Sequence, residues 1–402
     1  MIFAYINPEE VNGFSSEQLI NYKSNIVDLR VRQHRKTFFD FPILDNNSSR
    51  YVYPITVQSR LYQKRQTILP KNHIFHIPDH VISDVKNNIA KIIFDYSNEP
   101  FDCTKNNPND LADYFIRNTM NFYGLEKNHV ILLTGNMKPF TNVPYHVCTV
   151  ELCSSHVPVA SPSVLSKITD LIKAKTIRKY KSVALMRRLR NHRARFAYDI
   201  FSNNLKDDNL ITFNILMTTE KEFQIFKNTC EYFQHKEFVN SLPWIYDDAT
   251  LIKDVLLKTP EEEQMYIDSY VNFAIETFID SYGDKDFELD FTEKVYKPIA
   301  RMQPFIVLGQ PGILSYLKSA GYKTFDRWWD ESYDLEPDSN IRYEKVFNLY
   351  KFINSKTKEE LAEIINEMLP ILEHNVNLYN FNKNNKVYLN NFKTLLNEIF
   401  DK

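Results

Sequence analysis

Apolar and polar positions along this chain switch repeatedly between a strand period and a helical period. Short runs rich in β-branched and aromatic residues predict strands at 72–78, 91–97, 129–135 and 145–152. Residues 109–123, which lie between the second and third runs, carry Leu111, Phe115 and Met120 at helical spacing. Alternation of strands and helices is typical of a largely parallel sheet, so we expect an α/β domain here.

A second series of the same kind follows a basic helical segment at 163–181. Its strands are predicted at 182–186, 210–217, 270–277 and 303–309, and its helices at 192–203, 219–233 and 311–320. Thr357 and Glu360 form the capping box of a helix in a helical C-terminal region. The whole pattern predicts two Rossmann-like domains that face a cleft, with ligands at the carboxyl ends of strands.

The pattern divides the chain into five segments. They are an irregular N-terminal segment at 1–70, a Rossmann-like domain at 71–165, a basic connector at 166–181, a second Rossmann-like domain at 182–355, and C-terminal helices at 356–402. The first segment is polar and contains a basic cluster from Arg30 to Lys36. Because the division follows composition and periodicity alone, its boundaries are expectations about the fold.

Composition and charge narrow the classes of function. The formal net charge is −2, so any binding to nucleic acid requires a local basic patch. The sequence has no apolar run of membrane-spanning length, and its N-terminus lacks a basic region followed by an apolar one. We therefore expect no membrane partner, no signal peptide and a cytoplasmic location, which four scattered cysteines also fit. No Rossmann or P-loop glycine motif is present, which disfavours dinucleotide enzymes and P-loop NTPases.

The first candidate site is the segment at 292–297, which we call the TEK segment. Thr292 can cap a helix on which Lys294, Lys297 and Arg301 share one face, and cations at such a position bind phosphate well. Glu293 can accept two hydroxyl hydrogen bonds, as from a sugar. A surface helix with a solvated basic face is an equally good interpretation of this pattern.

The second candidate is the arginine segment at 187–195, which holds five arginines directly after a predicted strand. Guanidinium groups at a strand end suit bidentate contact with a diphosphate. Arg187, Arg190 and Arg193 are the residues that we single out for this contact. The basic residues Lys175, Arg178 and Lys179 lie upstream, and a solvated basic connector explains them well.

Two carboxylates follow predicted strands and are candidates for catalytic or substrate-binding groups. They are Glu99 and Glu276, although either one alone is more often structural. Weaker signals are a metal-like set (His146, Cys148, Cys153 and His156), the short acidic pattern of Asp284 and Asp286, and the pair Trp328 and Trp329. We expect no metal ion at these positions.

One long segment resembles the C-terminal signature of a glycosyltransferase-like family common in phages and large viruses. It comprises residues 290–334, with the sequence DFTEKVYKPIARMQPFIVLGQPGILSYLKSAGYKTFDRWWDESYD. Residues 184–204 resemble the arginine-rich segment of that family, and residues 77–102 resemble its N-terminal domain. The chain departs from the family pattern at Met186, where Asn is usual, and at Tyr322, where Phe is usual. The first departure puts one contact to the donor in doubt.

The resemblance implies a GT-B fold with a C-terminal nucleotide-sugar domain, and catalysis without a metal ion. The TEK segment is also similar to the donor site of alpha-1,3-fucosyltransferases, which implies that Glu293 holds the ribose and Lys294 the phosphate. The only co-substrate implied is a nucleoside-diphosphate sugar. Together with the residue pattern, the resemblance makes Arg187, Arg190, Arg193, Glu276, Thr292, Glu293, Lys294 and Lys297 the candidate donor-binding residues. Glu99, which follows a predicted strand, is the candidate catalytic base.

The sequence does not identify the acceptor of the sugar. In a phage setting, hydroxymethylated bases in DNA are one candidate, and Lys175, Arg178 and Lys179 would then contact the DNA backbone. A glycan or protein acceptor is an alternative, and so is a non-catalytic nucleic-acid-binding protein with the same fold. The expected location is the cytoplasm, that of the host cell if the protein is viral.

Overall fold

The computed structural model describes residues 3–5, 50–56, 74–75, 77–96, 111–135, 137, 143–150, 154, 157–213, 220–245, 260–280, 289, 291–387 and 390–401. The chain forms two compact units. Unit 1 comprises Met1–Leu152, Tyr282–Asp290 and Lys386–Lys402, and unit 2 comprises Cys153–Ser281 and Phe291–Asn385. None of the helices in the described ranges has the length and apolar character needed to cross a membrane.

The regular elements of the described residues alternate between strands and helices in most of the chain. The strands are β1 (Phe3–Tyr5), β2 (Arg50–Thr56), β3 (Ala90–Tyr96), β4 (Val130–Thr134), β5 (His146–Thr149), β6 (Tyr180–Met186), β7 (Asn209–Phe213), β8 (Ser269–Ile275) and β9 (Phe305–Leu308). The helices are α1 (Asp79–Lys86), α2 (Leu111–Tyr123), α3 (Pro162–Lys173), α4 (Asn191–Ser202), α5 (Glu220–Thr229), α6 (Lys236–Asn240), α7 (Pro260–Ile267), α8 (Glu293–Ile299), α9 (Ile313–Ser319), α10 (Ser339–Ser355), α11 (Lys358–Asn384) and α12 (Asn390–Phe400). The predicted α/β class with parallel sheets is confirmed.

Unit 1 is built on a five-stranded parallel sheet in the order β1-β2-β3-β4-β5. Alternate residues of each strand face opposite sides, so Phe94 packs with α1 and α2 whereas Ile93 packs with α12. The last helix of the chain therefore covers the sheet face that α1 and α2 leave. Burial on both faces explains why the central strand β4 is a continuous apolar run.

The prediction that residues 1–70 are irregular is wrong at Phe3–Tyr5 and Arg50–Thr56, which are strands β1 and β2 of unit 1, and the rest of that segment lies outside the described residues. Pro54 conceals β2 in the sequence, since proline donates no ladder hydrogen bond and argues against a central strand. Among the described residues, Pro54 pairs in register with Ile93 of β3, whereas the stretch of β2 that pairs with β1 ends at Val52. The strand predicted at 72–78 is also wrong, because Ile74, Phe75 and Ile77 lie in irregular chain.

Unit 2 is built on a four-stranded parallel sheet in the order β7-β6-β8-β9. Phe196 of α4 packs against Phe273 of β8 and against Phe347 and Tyr350 of α10, with ring centroids 5.3–6.1 Å apart. Tyr296 of α8 packs against α11. The strands predicted for this unit are confirmed, with ends that differ by a few residues.

The chain passes from unit 1 to unit 2 after Leu152, contributes Tyr282–Asp290 to unit 1, and returns to unit 1 again after Asn385. The C-terminal region predicted at 356–402 is consequently divided, because α11 belongs to unit 2 and α12 to unit 1. Each of these helices packs its apolar face against the unit to which it belongs. Phe392 and Leu396 of α12 are fully buried against the sheet of unit 1.

Candidate functional site

The strand order of unit 2 contains one reversal, between β6 and β8. From β6 the chain moves to one side and forms β7, and it then returns to the other side of β6 and forms β8 and β9. In doubly wound sheets, ligands bind outside the carboxyl ends of the two strands where the order reverses. We therefore expect a ligand site in the segments that follow β6 and β8. The end of the sheet where these strands finish is called the carboxyl edge.

Arg193 ties the arginine segment to the end of β8. Its Nη2 donates to the carbonyl oxygens of Ile275 and Glu276, both at 3.0 Å, and its Nη1 donates to the carbonyl oxygen of Arg188 at 3.3 Å. Burial lowers the pKa of Arg193 to about 10, which leaves it charged at neutral pH. The residue is only 3% exposed, so its role is to hold the segment against the strand.

His192 makes a second tie to the same carbonyl group. Its Nε2 lies 2.9 Å from the carbonyl oxygen of Glu276 and donates to it in the neutral ring. Burial, with help from the charge of Arg193, lowers the pKa of His192 to about 3. His192 is not among the candidates predicted from the sequence, although its position inside the arginine segment is a signal that could have identified it.

Arg187 and Arg190 lie at the carboxyl edge with part of their surface exposed. Burial lowers the pKa of Arg187, and the nearby carboxylate of Glu293 opposes that shift. Arg190 lies with its guanidinium carbon 6.0 Å from the ring centroid of Phe278 and donates to the carbonyl oxygen of Leu189. The arginine segment and the TEK segment, far apart in sequence, thus meet at this edge.

Glu276, the first residue after β8, turns its carboxylate inwards. The side chain is 1% exposed, and its oxygens accept from the Thr292 amide at 2.9 Å, the Thr292 hydroxyl at 2.7 Å and the Thr277 amide at 3.2 Å. A carboxylate that is bonded in this way does not face solvent. The expectation that Glu276 contacts the donor directly is therefore corrected: it contacts the TEK segment.

Lys294 lies between the two carboxylates of the site. Its Nζ donates to the Thr292 hydroxyl at 2.7 Å and lies 3.8 Å from Glu276 Oε2 and 3.5 Å from Glu293 Oε1. Lys297 lies one helical turn on and places Nζ 3.3 Å from Glu293 Oε1. Burial raises the pKa of Glu293, but the charges of Lys294 and Lys297 outweigh burial and hold that pKa well below its usual range. Glu293 is thus an ionised acceptor that keeps 26% of its side chain exposed.

Helix α8 does not carry a solvated basic face, so that interpretation of the TEK segment is wrong. Val295 and Ile299 face the core as predicted, but Lys297 and Arg301 are buried as well. Arg301 turns away from the site, since its guanidinium donates to Glu263 at 2.8 Å and to the carbonyl oxygen of Pro158 at 3.0 Å. Only Lys294 and Glu293 of the segment's ionised groups keep substantial exposure.

Gly309, at the end of β9, allows the close packing behind the site. A Cβ atom there would lie 2.6 Å from Ile313 Cδ1 and 3.2 Å from Glu276 Cγ, which the neighbours could not accept without moving. The acidic residues that follow are structural. Glu331 accepts from Thr324 and Phe325, and Asp334 accepts from the first amides of α9.

The basic residues at 175–179 lie at the opposite end of the same sheet, before β6, which we call the amino edge. Arg178 is buried, and its guanidinium donates to the carbonyl oxygen of Ser269 at 2.7 Å. Lys175 pairs with Glu363 at 2.5 Å, and Lys179 lies over the ring of Tyr180. β6 has seven residues and spans about 20 Å between the two edges. The expectation that Arg178 contacts a DNA backbone is therefore wrong, and residues 175–179 do not share one surface with the arginine segment.

Several candidates lie outside the described residues, namely Glu99, Cys153, His156, Asp284, Asp286 and the cluster from Arg30 to Lys36. Cys148 is buried, and burial raises its pKa to about 12. Trp329 packs on Phe325 in the core, and Trp328 donates to Glu367. Across the ranges that the structure describes, no three His, Cys, Asp or Glu side chains are grouped closely enough to hold a metal ion.

Comparison of the sequence with protein-family models and with curated proteins finds no match. The chemistry of the carboxyl edge is therefore inferred from its residues. They are a cluster of arginines, an ionised glutamate with an exposed oxygen, and a lysine held between two carboxylates.

Proposed function

We propose that unit 2 binds a nucleoside diphosphate at the carboxyl edge and that the protein transfers a sugar from the corresponding nucleotide sugar. The observation that carries this proposal is the convergence of the arginine segment and the TEK segment on one residue, Glu276, where the strand order reverses. Doubly wound sheets bind nucleotides at that point of the sheet.

The balance of charge supports an anionic ligand. Glu276 and Glu293 carry two negative charges, which the two positive charges of Lys294 and Lys297 cancel. The four arginines at 187, 188, 190 and 193 then leave a surplus of positive charge, to which neutral His192 adds nothing. Among the described residues, no acceptor lies within hydrogen-bond reach of the buried Nε of Arg190. Guanidinium donors of this kind suit a diphosphate.

In the proposed reaction the residues of this chain act on the departing diphosphate. Arg187, Arg190 and Lys294 stabilise the negative charge that develops as the bond to the sugar breaks, while Arg193 holds the segment in place. Glu293 is ionised and partly exposed, so it can accept the hydroxyl hydrogen bonds of the ribose. The same proposal includes three further parts. The chain is a member of the viral glycosyltransferase-like family, its two units form a GT-B arrangement, and Glu99 is the base.

The acceptor that we propose is a hydroxyl group of a glycan or a protein. Transfer to DNA would need a continuous basic face, and Lys175 and Lys179 lie at the amino edge whereas the arginines lie at the carboxyl edge. This separation counts against hydroxymethylated DNA as the acceptor. DNA binding by a protein that ignores every nucleotide would instead support a non-catalytic nucleic-acid-binding function.

The test is a thermal-shift screen of UDP, GDP and their sugars, with the matching monophosphates and NAD as controls. We expect one nucleoside diphosphate and its sugar to raise the melting temperature, because a ligand that binds only the folded protein stabilises it. The monophosphate should act more weakly, and the shift should persist in EDTA. The nucleotide sugar that binds is then offered with glycan, protein and DNA acceptors. If no diphosphate in the panel shifts the melting temperature, the proposal fails.

A further inference from the structure

We propose that Glu276 is a positioning residue, whose buried carboxylate orients the ammonium group of Lys294 through the hydroxyl of Thr292. The role of Lys294 as the group that meets the phosphate rests on the function proposed above. The orientation itself rests on the geometry of three side chains, which is independent of any ligand.

The hydrogen bonds between these side chains have a fixed direction. The Thr292 hydroxyl lies 2.7 Å from Glu276 Oε2, and an ionised carboxylate can only accept, so the hydroxyl proton points to Glu276. The lone pairs of the same oxygen then face Lys294 Nζ, which donates to it at 2.7 Å. Because Lys294 has three donors, this arrangement fixes one and leaves others for a ligand.

Glu276 is held at both its main chain and its side chain. Its carbonyl oxygen accepts from His192 and Arg193, and its carboxylate accepts from Thr277 and Thr292. Gly309 permits this position, since a Cβ atom there would crowd Glu276 Cγ. The carboxylate therefore has little freedom to follow a substrate and is suited to hold a neighbour.

A lysine side chain is long and flexible, and ordering it on binding costs conformational entropy. The side chain of Lys294 is 22% exposed, so its ammonium group remains accessible while the Thr292 hydroxyl and the Glu276 carboxylate set its direction. Prior orientation lowers the entropy cost of meeting an anion, and this is the contribution that we assign to Glu276.

The test is a double-mutant cycle with Glu276→Gln and Thr292→Val. Gln keeps the shape of Glu276 but presents an amide to the amide or the hydroxyl of Thr292, and Val removes the hydroxyl without changing side-chain size. We expect each variant to weaken binding of the active nucleoside diphosphate by about 5- to 10-fold, the worth of one hydrogen bond. The double variant should be no weaker than the weaker single variant, because both changes break one connection. Thr292→Ser keeps the hydroxyl and should bind as the parent protein does.

Two results would overturn the inference. In one, the effects of Glu276→Gln and Thr292→Val add in full. In the other, Glu276→Gln tightens binding, which would mean that removal of a negative charge near the anion outweighs any loss of orientation.

In the Lys294→Ala background, Glu276→Gln should have no further effect on affinity.

A second measurement needs no nucleotide and separates this inference from the proposed function. The unliganded variants are treated with N-hydroxysuccinimide acetate, and acetylation of Lys294 is measured by peptide mass spectrometry relative to exposed Lys323. We expect Lys294 to react faster in Glu276→Gln and in Thr292→Val than in the parent protein or Thr292→Ser. Equal rates in all four proteins would contradict the positioning role, even if nucleotides bind. Faster rates without nucleotide binding would keep the positioning role and remove the proposed ligand.

Discussion

In both units of this protein the described strands of the sheet run parallel, but the strands of the two sheets follow different orders. In unit 1 the order β1-β2-β3-β4-β5 follows the chain, with no reversal among the described strands. In unit 2 the order β7-β6-β8-β9 reverses between β6 and β8. The described residues that directly follow β4 and β5 in unit 1 are Gly135 and Val150, whereas Arg187 and Glu276 follow β6 and β8.

The difference in strand order shows that the features which build a sheet are not the features which build the candidate site. Apolar strands and amphipathic helices build both sheets. The candidate site arises only where a reversed strand order brings two polar segments to neighbouring strand ends. Charge alone does not mark it, because Arg178 and Lys91 are also buried cations, and both lie near the amino ends of strands.

The largest expected effect is the loss of Arg187 and Arg190, which lie partly exposed at the carboxyl edge. In the double variant Arg187→Ala and Arg190→Ala, we expect nucleoside-diphosphate affinity to fall by about 100- to 1,000-fold or more, since each charge-assisted hydrogen bond contributes about 1.5–3 kcal/mol. Isothermal titration calorimetry measures it. The matched control is Lys175→Ala with Lys179→Ala, which removes the same charge at the amino edge and should change affinity by less than about threefold. Equal losses in both double variants would end the distinction between the two edges.

Replacement of Lys294 should have a smaller effect. One charge-assisted hydrogen bond is lost in Lys294→Ala, so we expect affinity to fall by about 10- to 100-fold. The lysine is partly exposed, and thermal unfolding should therefore change little. Affinity equal to that of the parent protein would remove Lys294 from the site.

The histidine tie should make unit 2 sensitive to acid. The folded-state pKa of His192 is lowered to about 3, so between about pH 6.5 and pH 3 only the unfolded chain takes up this proton. Stability from this group is therefore complete above about pH 6.5 and is lost as the pH falls. We expect the parent protein to lose about 2 kcal/mol more than His192→Gln between pH 7 and pH 5 in urea unfolding. If both proteins lose the same amount, the histidine is not held neutral.

Lys91 provides the counterpart in unit 1, with the smallest effect. Burial, aided by the charge of Arg50, lowers its pKa to about 8, so between about pH 8 and pH 10.5 the folded protein binds fewer protons than the unfolded chain. Stability therefore rises with pH in that window. We expect the parent protein to gain about 1 kcal/mol relative to Lys91→Met between pH 7 and pH 9. A constant difference between the two urea-unfolding curves would contradict the burial of a charged lysine.

Local signals in the sequence predicted much of the fold. Most strands were marked by apolar runs, and Thr292 and Thr357 cap helices as expected, because capping depends on residues only two or three positions away. β2 was missed because Pro54 interrupts its pattern.

The inward direction of the cations could not be read in the same way. Arg193 donates to Ile275 and Arg178 to Ser269, partners that lie 82 and 91 residues away in the sequence. A guanidinium group is buried only when distant carbonyl groups meet it, and the order of strands decides which carbonyl groups those are. The sequence therefore identified the arginine segment and the TEK segment, but not the roles of His192, Glu276 or Arg178.

A crystal structure with the nucleoside diphosphate that gives the largest thermal shift tests the central claim most directly. The expected result places diphosphate oxygens at about 2.7–3.2 Å from the guanidinium groups of Arg187 and Arg190 and from Lys294 Nζ. Glu293 should face the ribose, and Glu276 should remain bonded to Thr292. A diphosphate bound at the amino edge beside Lys175, or in unit 1, would contradict the account.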